Sequence, residues 1–346
     1  MLSLYNYIRD CHKHFWRSSN LNKLLIIFLF LSVLILSQAV NSSAVNEVQL
    51  QYNFVEGSIT EIEYISSASG TMGPSKDNQN NPFNQNTRLL LEYKVESVDS
   101  LGNADLTMDF KYLKTDATIG NSTYSFESTP QKTILNGTTV WDKSKNEIDN
   151  PFFVMTGKNF ELTVNSLGDI LKVNNDINWK DSNKELYMLN WRKIWIQFTE
   201  TKVNPGDTWK KENNINLPGN PEGLPTEITY RLDGFQDIDG AECAVISQKS
   251  SIKGASTEFK ASYGLNFPYT DVKPGELAQM DFNTYNNNSN KTIIFDHKNG
   301  RIVQIRETGT IESDSSITDY QFSIIPVDVE IYQKQNYINV LNYTIK

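Results

Sequence analysis

Beyond residue 44 the chain alternates apolar and polar residues in steps of two, and Gly, Asn, Asp and Pro punctuate the runs. "RLLLEYKVESV" (88–98) and "ADLTMDFKYL" (104–113) flank "DSLGN". "NFELTV" (159–164) and "DILKV" (169–173) flank "NSLG". "TEITYRLDGF" (226–235) and "AECAVISQKSSI" (241–252) flank "QDIDG", and "TIIFD" (292–296) and "RIVQIRETGTI" (301–311) flank "HKNG". "ITDYQFSII" (317–325) stops at Pro326, and "VDVEIY" resumes at 327. Each pair reads as an antiparallel hairpin, because a strand with one buried face needs period-two side chains and its turn needs residues that bend. One segment breaks the pattern. In residues 182–198, Met188, Trp191, Trp195 and Phe198 recur at helical spacing, Asp181 or Ser182 can cap the start, and Glu185 stands at capping-box distance from Ser182. Residues 66–87, polar and rich in Asn and Gly, and 216–225, "NLPGNPEGLP", read as loops.

The hairpins repeat. "GDILKV" begins at Gly168 and "GRIVQI" at Gly300. Upstream, "EYKVESV" matches "TYRLDGF", pairing Tyr93 with Tyr230, Lys94 with Arg231, Val95 with Leu232 and Glu96 with Asp233. Gly57, Gly102 and Gly168 thus recur in order as Gly206, Gly240 and Gly300. The expected fold is mainly β: two related antiparallel, curved-sheet halves, residues 45–200 and 201–346, with the 182–198 helix near their junction. Gly168 and Gly300 should occupy equivalent turns, with Ile170 and Ile302 on equivalent sides.

The N-terminus adds an address. Arg9, Lys13, Arg17 and Lys23 precede the apolar run 24–36, and small residues follow it. Residues 1–39 therefore read as a secretory signal peptide or as an uncleaved signal anchor. Either form exports the body, so the expected location is extracytoplasmic, secreted or membrane-held only through that N-terminal segment. Without residues 1–39 the chain has 28 Lys and Arg against 40 Asp and Glu, a net charge of −12. Such a surface offers nucleic acid no partner. The sequence leaves the oligomeric state open.

Candidate chemistry is sparse. His297 is the single body histidine, so one chain supplies no two-histidine metal site, and it should be exposed in its turn. Cys243 is the single body cysteine, set in a strand as a small apolar residue. "DIDG" (237–240) and "ESDSS" (312–316) have the acids of a calcium turn but not the spacing of an EF-hand. No phosphate-binding glycine loop, nucleophile elbow or CxxC occurs, and no cofactor is expected. Asn41, Asn121, Asn136, Asn287, Asn290 and Asn342 begin N-x-S/T triplets, a number that chance supplies in a chain this rich in Asn, Ser and Thr. Asn121, Asn136 and the "NNNSNK" stretch, read as a turn, should be the exposed acceptors.

"GKNFELTVNSLGDILKVNN", "VNPGDTW", "YRLDGFQDIDGAECAVI" and "DHKNGRIVQI" together resemble an exported β-rich family of bacterial and archaeal proteins known as a domain of unknown function. The resemblance covers roughly 153–312 and rests on hairpin glycines and a Gly-Asp-x-Trp strand entry, so it implies fold and export but no catalytic residue. Members are often lipoproteins; here no lipid-attachment cysteine follows the apolar run. In architecture alone the chain is similar to LolA- and LppX-like carriers. The expected function is an exported, non-enzymatic binding or cell-envelope structural module. In its sharper form it holds a lipid or other apolar ligand on a concave sheet, with Trp191 and Trp195 at the mouth. The alternative is a carboxylate-dependent hydrolase of envelope glycans.

Overall fold

The computed structural model describes residues 47–73, 81–129, 131–142, 159–174, 194–215, 224–261, 278–318 and 329–346. The expected leader 1–39 lies outside them, as do residues 182–193 of the expected helix and 216–223 of the second expected loop. The strands of the first half are β1 (Ile59–Gly73), β2 (Asn81–Val98), β3 (Ala104–Ile119), β4 (Ser122–Ser128), β5 (Gln131–Leu135), β6 (Thr138–Asp142), β7 (Asn159–Val164) and β8 (Ile170–Asn174). The second half gives β9 (Thr208–Ile215), β10 (Leu224–Ile238), β11 (Ala241–Ala261), β12 (Ala278–Asp296), β13 (Arg301–Thr318) and β14 (Val329–Ile345). All belong to one antiparallel sheet, curved and unclosed. The halves are therefore continuous with each other.

Each half lays down five strands in the same order. The first runs β1-β2-β3-β7-β8, the second β9-β10-β11-β12-β13, and β14 joins them by pairing with both β13 and β1. The extra hairpins β4–β6 leave from the far part of β3: Ala104–Asp109 pairs with β7, while Lys114–Ile119 pairs with β4. Two pairs of irregularities in register fall at matching places. The β2–β3 ladder passes over Glu96 and the β10–β11 ladder over Asp233, the residues the sequence aligned. The β7–β8 ladder passes over Leu171 and the β12–β13 ladder over Val303, each three residues past its turn glycine. A bulge leaves one residue unpaired and bends its strand, so matched bulges impose matched curvature. The strand entries match as well. Gly57 N–H donates to Val95 O at 2.8 Å, and Gly206 N–H donates to Leu232 O at 2.6 Å.

Two segments leading into the halves close the core. Residues 47–54 precede β1 and 194–203 precede β9, and they meet at a bridge between Val48 and Val203. Tyr52 N–H donates to Ser166 O at 2.7 Å, Asn53 N–H to Gly300 O at 3.0 Å and Phe198 N–H to Leu167 O at 2.8 Å. Their side chains Leu50, Tyr52, Ile194, Trp195, Ile196 and Phe198 are buried with Ile62, Leu91, Leu106, Leu162, Leu232, Ile246, Ile293, Phe295 and Ile305 from the inner face of the sheet. Each such large side chain contributes about 1.5–3 kcal/mol on burial.

These contacts correct the helical reading of 194–198, which contain no α-helix. Their backbone groups are engaged elsewhere. Ile196 N–H donates to the Tyr52 hydroxyl, the Tyr343 hydroxyl donates to Ile194 O, and the Trp209 indole N–H donates to Gln197 O. Groups already paired with the sheet are lost to an i→i−4 ladder.

The expected loop 66–87 is also corrected. Apart from 74–80, which lie outside the described residues, it is the ends of β1 and β2, flanked by β14 and β3. "NNNSNK" lies inside β12 and "ESDSS" inside β13, so neither is a turn. Polar residues on both faces hid the alternation there.

Gly168 (φ 86°) and Gly300 (φ 64°) occupy equivalent turns, and Ile170 and Ile302 pair with Val164 and Phe295 and pack on the core, as expected. A Cβ on Gly168 would stand 2.1 Å from Ile196 O, and one on Gly300 2.3 Å from Asn53 N. Gly57 (φ 81°) has open space. Gly57→Ala should therefore cost about 1 kcal/mol, from backbone strain alone, and Gly168→Ala about 2–4 kcal/mol, because an overpacked contact is added. Urea unfolding of the two variants checks the difference.

Candidate functional site

Opposed residues of neighbouring strands point to the same side of a sheet, so the register sorts side chains into faces. Beyond the core, three successive rows cross the inner face from β10 to β3. The first runs Tyr230, Gln248, Lys291, Glu307, Asn339, Ser66, Thr87, Thr115. The second includes Ile228, Ser250, Ser289, Tyr337 and Ala68, and the third Thr226, Ile252, Asn287, Ile311 and Phe83. None of these residues is exposed, although many are polar.

A hydrogen-bond network holds the polar members. The Tyr337 hydroxyl lies 3.1 Å from Asn287 Oδ1 and 3.2 Å from Glu307 Oε1, Asn339 Nδ2 donates to Glu307 Oε2 at 3.0 Å, and the Tyr64 hydroxyl donates to Asn339 Oδ1 at 3.0 Å. Lys291 stands directly opposite Glu307, and both are more than nine-tenths buried. Buried charge persists only with partners, which makes the row a fixed polar floor. Tyr337 lies over Gly309, where a Cβ would meet its ring at 2.4 Å. The residues of this floor were missed in the sequence. Counting back by twos from Phe295 and Ile293 would have reached Lys291, Ser289 and Asn287.

The outer face is mostly exposed along its matching rows, with Thr118, Thr229, Ser247 and Val340 half-buried. At its β2–β3–β4 end lies a cleft of about 270 Å³ whose lining includes Asn84, Asn86, Asp116, Thr118, Thr123 and Ser125. Asp116 is the single carboxylate in this lining, so the two-carboxylate geometry of a glycan hydrolase is not found there.

Of the two tryptophans expected at a ligand mouth, Trp191 lies outside the described residues. Trp195 is 5% exposed and packed, its ring centroid 5.5 Å from Tyr52 and 5.3 Å from Tyr93. It is a core residue, because the segment that carries it runs beneath the sheet rather than along a surface helix. Its indole N–H finds no acceptor among the described residues.

Asn121, Asn136 and Asn290 are exposed. Asn342 is half-buried and accepts from Gln304 Nε2 at 2.9 Å. Asn287 is corrected: its side chain faces inward and is 8% exposed. Asn41 lies outside the described residues. Cys243 is buried as expected, and burial raises its thiol pKa. His297 is less exposed than expected. It packs edge-on against Phe235, and Nε2 is 3.5 Å from Glu242 Oε1 but outside hydrogen-bond geometry. Asp237 closes its own turn by accepting from Gly240 N–H.

Burial raises the pKa of Tyr52, Tyr93, Tyr230 and Tyr343, so these core hydroxyls stay protonated. Asp296, beside the Gly300 turn, is different. Its burial acts to raise the pKa, yet hydrogen bonds from Asn299 and Arg301 together hold it below the usual aspartate value.

No family model matches the chain, so the expected family membership rests on the quoted phrases alone, and no curated protein matches it. Among solved structures, one described by lipid–protein interactions in lipovitellin aligns at 10% identity and a TM-score of 0.45, covering 85% of this chain and 26% of that one. The chain thus spans about a quarter of the lipovitellin chain. OpdQ of Pseudomonas aeruginosa aligns at 10% identity and a TM-score of 0.17, covering 84% of this chain and 100% of its own. Similarity this low carries no argument about function. The class that the described residues define is an all-β protein built on one open antiparallel sheet. Among them no helix is long and apolar enough to cross a membrane.

A group whose folded pKa is lowered stabilises the fold above its ordinary pKa, and that contribution is lost as pH falls through the folded value. Asp296→Asn should therefore lower stability near neutral pH by about 1–3 kcal/mol, the worth of charge-assisted hydrogen bonds. Its gap from the parent should close at acid pH. Thermal melts across the acid range read the convergence.

Proposed function

We propose that the protein is a non-catalytic binding module that holds an amphipathic, lipid-like ligand within the curve of its sheet. The single observation that carries this reading is the inner face: three rows across eight strands hold no exposed residue, yet mix apolar and polar groups. An interior meant only for packing would have no use for a row containing Lys291, Glu307 and Asn339. Ligand sites of this kind combine an apolar lining with a few fixed polar groups that set orientation. Phe83, Ile252 and Ile311 supply the apolar part, and the Tyr337–Glu307–Asn287 network supplies an anchor for a polar head. The expected leader favours work outside the cytoplasm, where a shielded face for an apolar chain has a use in carriage or in the envelope.

The test is uptake of a fluorescent fatty acid by protein delipidated under denaturing conditions and refolded, with native mass spectrometry as the second readout. The expected result is saturable uptake, with Tyr337→Phe raising Kd about three- to tenfold through the lost hydrogen bonds. No uptake by the refolded parent, together with no co-purifying lipid in the untreated protein, overturns the reading.

A further inference from the structure

The outer face has its own pattern, independent of the interior. Over seven consecutive strands, one row has only uncharged hydroxyl and carboxamide side chains: Ser251, Asn288, Thr310, Asn336, Ser69, Asn84 and Thr118 stand opposite one another, and beyond Ser251 the row passes into Glu227 and Glu212 on β10 and β9. Thr123 on β4 continues it, opposite Thr118. At about 4.8 Å between strands, the row is roughly 34 Å long.

Its neutrality is local. The neighbouring row toward the open end includes Glu312 opposite Lys334, and the row toward the core contains Lys249 and Asp116. The row beyond that includes Arg306, Arg88 and Lys114. Six of its seven members are exposed and Thr118 is half-buried, and each neighbouring row carries charge within the same strands. A second observation falls on the same line. The cleft of about 270 Å³ opens where the row ends, and Asn84, Thr118 and Thr123 are in its lining.

We propose that this row and its cleft bind a neutral, polyhydroxylated glycan chain. Asn, Ser and Thr each offer both donor and acceptor, as a sugar hydroxyl does, so every strand presents a group that can exchange a water for a hydroxyl. The step between strands is close to the length of one sugar unit. A neutral chain lying along the seven strands desolvates no side-chain charge of the row, whereas an anionic one would meet the like charges of Asp116 at the cleft and Glu227 at the other end. Asp116, held by Ser125 Oγ at 2.6 Å, is an acceptor at the cleft wall, the usual partner for a pair of sugar hydroxyls.

Affinity electrophoresis of the whole exported chain through gels containing dextran, amylose or mannan, with alginate as the anionic control, tests the proposal. At least one neutral polymer should retard the protein and alginate should not. Asn84→Ala with Thr118→Ala should raise the Kd for that polymer at least tenfold. Asn336→Glu, a charge placed mid-row on the exposed face, should do the same with an unchanged circular dichroism spectrum and melting temperature. Tyr337→Phe, on the inner face, should leave retardation unchanged. Retardation by none of the neutral polymers, equal retardation by alginate, or retardation that survives both row variants overturns it. So does a dimer in sedimentation that Asn336→Glu dissociates, since the row would then be an interface between copies.

Discussion

The structure depends on the close contact between two turn glycines and the two segments that cross them. Gly168 is pressed against the backbone of residue 196, and Gly300 against residues 51–53, at distances that leave no room for a Cβ. The reciprocity matters: the lead into the second half packs on the closing turn of the first, and the lead into the first packs on the closing turn of the second. An open sheet has no second layer of its own and must acquire one to bury its apolar face. Here the lead segments are that layer. They supply Leu50, Tyr52, Trp195, Ile196 and Phe198, and the Tyr52 ring lies within 5.7 Å of three others at once, stacked on Phe54, tilted to Phe198 and edge-on to Phe295.

From this clamp outward the sheet changes character. Near the turns the inner face is aliphatic and aromatic. Farther out it gives way to the Lys291–Glu307–Asn339 row, and then to mixed rows that remain shielded. The outer face, mostly exposed along the same rows, has charged lines and one line that is uncharged over seven strands. The β9 edge strand carries Lys210, Lys211 and Glu212, charges that discourage another strand from adding to it. One sheet thus offers two surfaces of opposite accessibility, and the two proposed ligands differ because the surfaces differ.

How much was legible in the sequence follows the contrast between faces. "NFELTV" predicted β7 to the residue, because one side is apolar and the other polar. The matched Glu96 and Asp233 were visible as an alignment, but only the ladders show that both are bulges. Residues 66–73 and 286–291 misled, because Ser, Asn and Gly fill both faces and the alternation has no amplitude. The 194–198 segment misled for the opposite reason. Trp195 and Phe198 fit a helical spacing, yet the bonds to Tyr52, Leu167 and Tyr343 hold 194–198 as an irregular lead that buries Ile194, Trp195, Ile196 and Phe198 together. The inner polar floor depends on which rows the curve shields, a property of the assembled sheet that no local window contains.

Residue-resolved amide hydrogen exchange tests the clamp most directly. The Tyr52, Asn53 and Phe198 amides lie outside the named strands, yet they should exchange as slowly as those of Ile246 and Ile293 at the centre of the sheet, since opening them requires opening the core. Exchange of these three at the rate of an unprotected loop, while the sheet amides stay protected, would contradict the account.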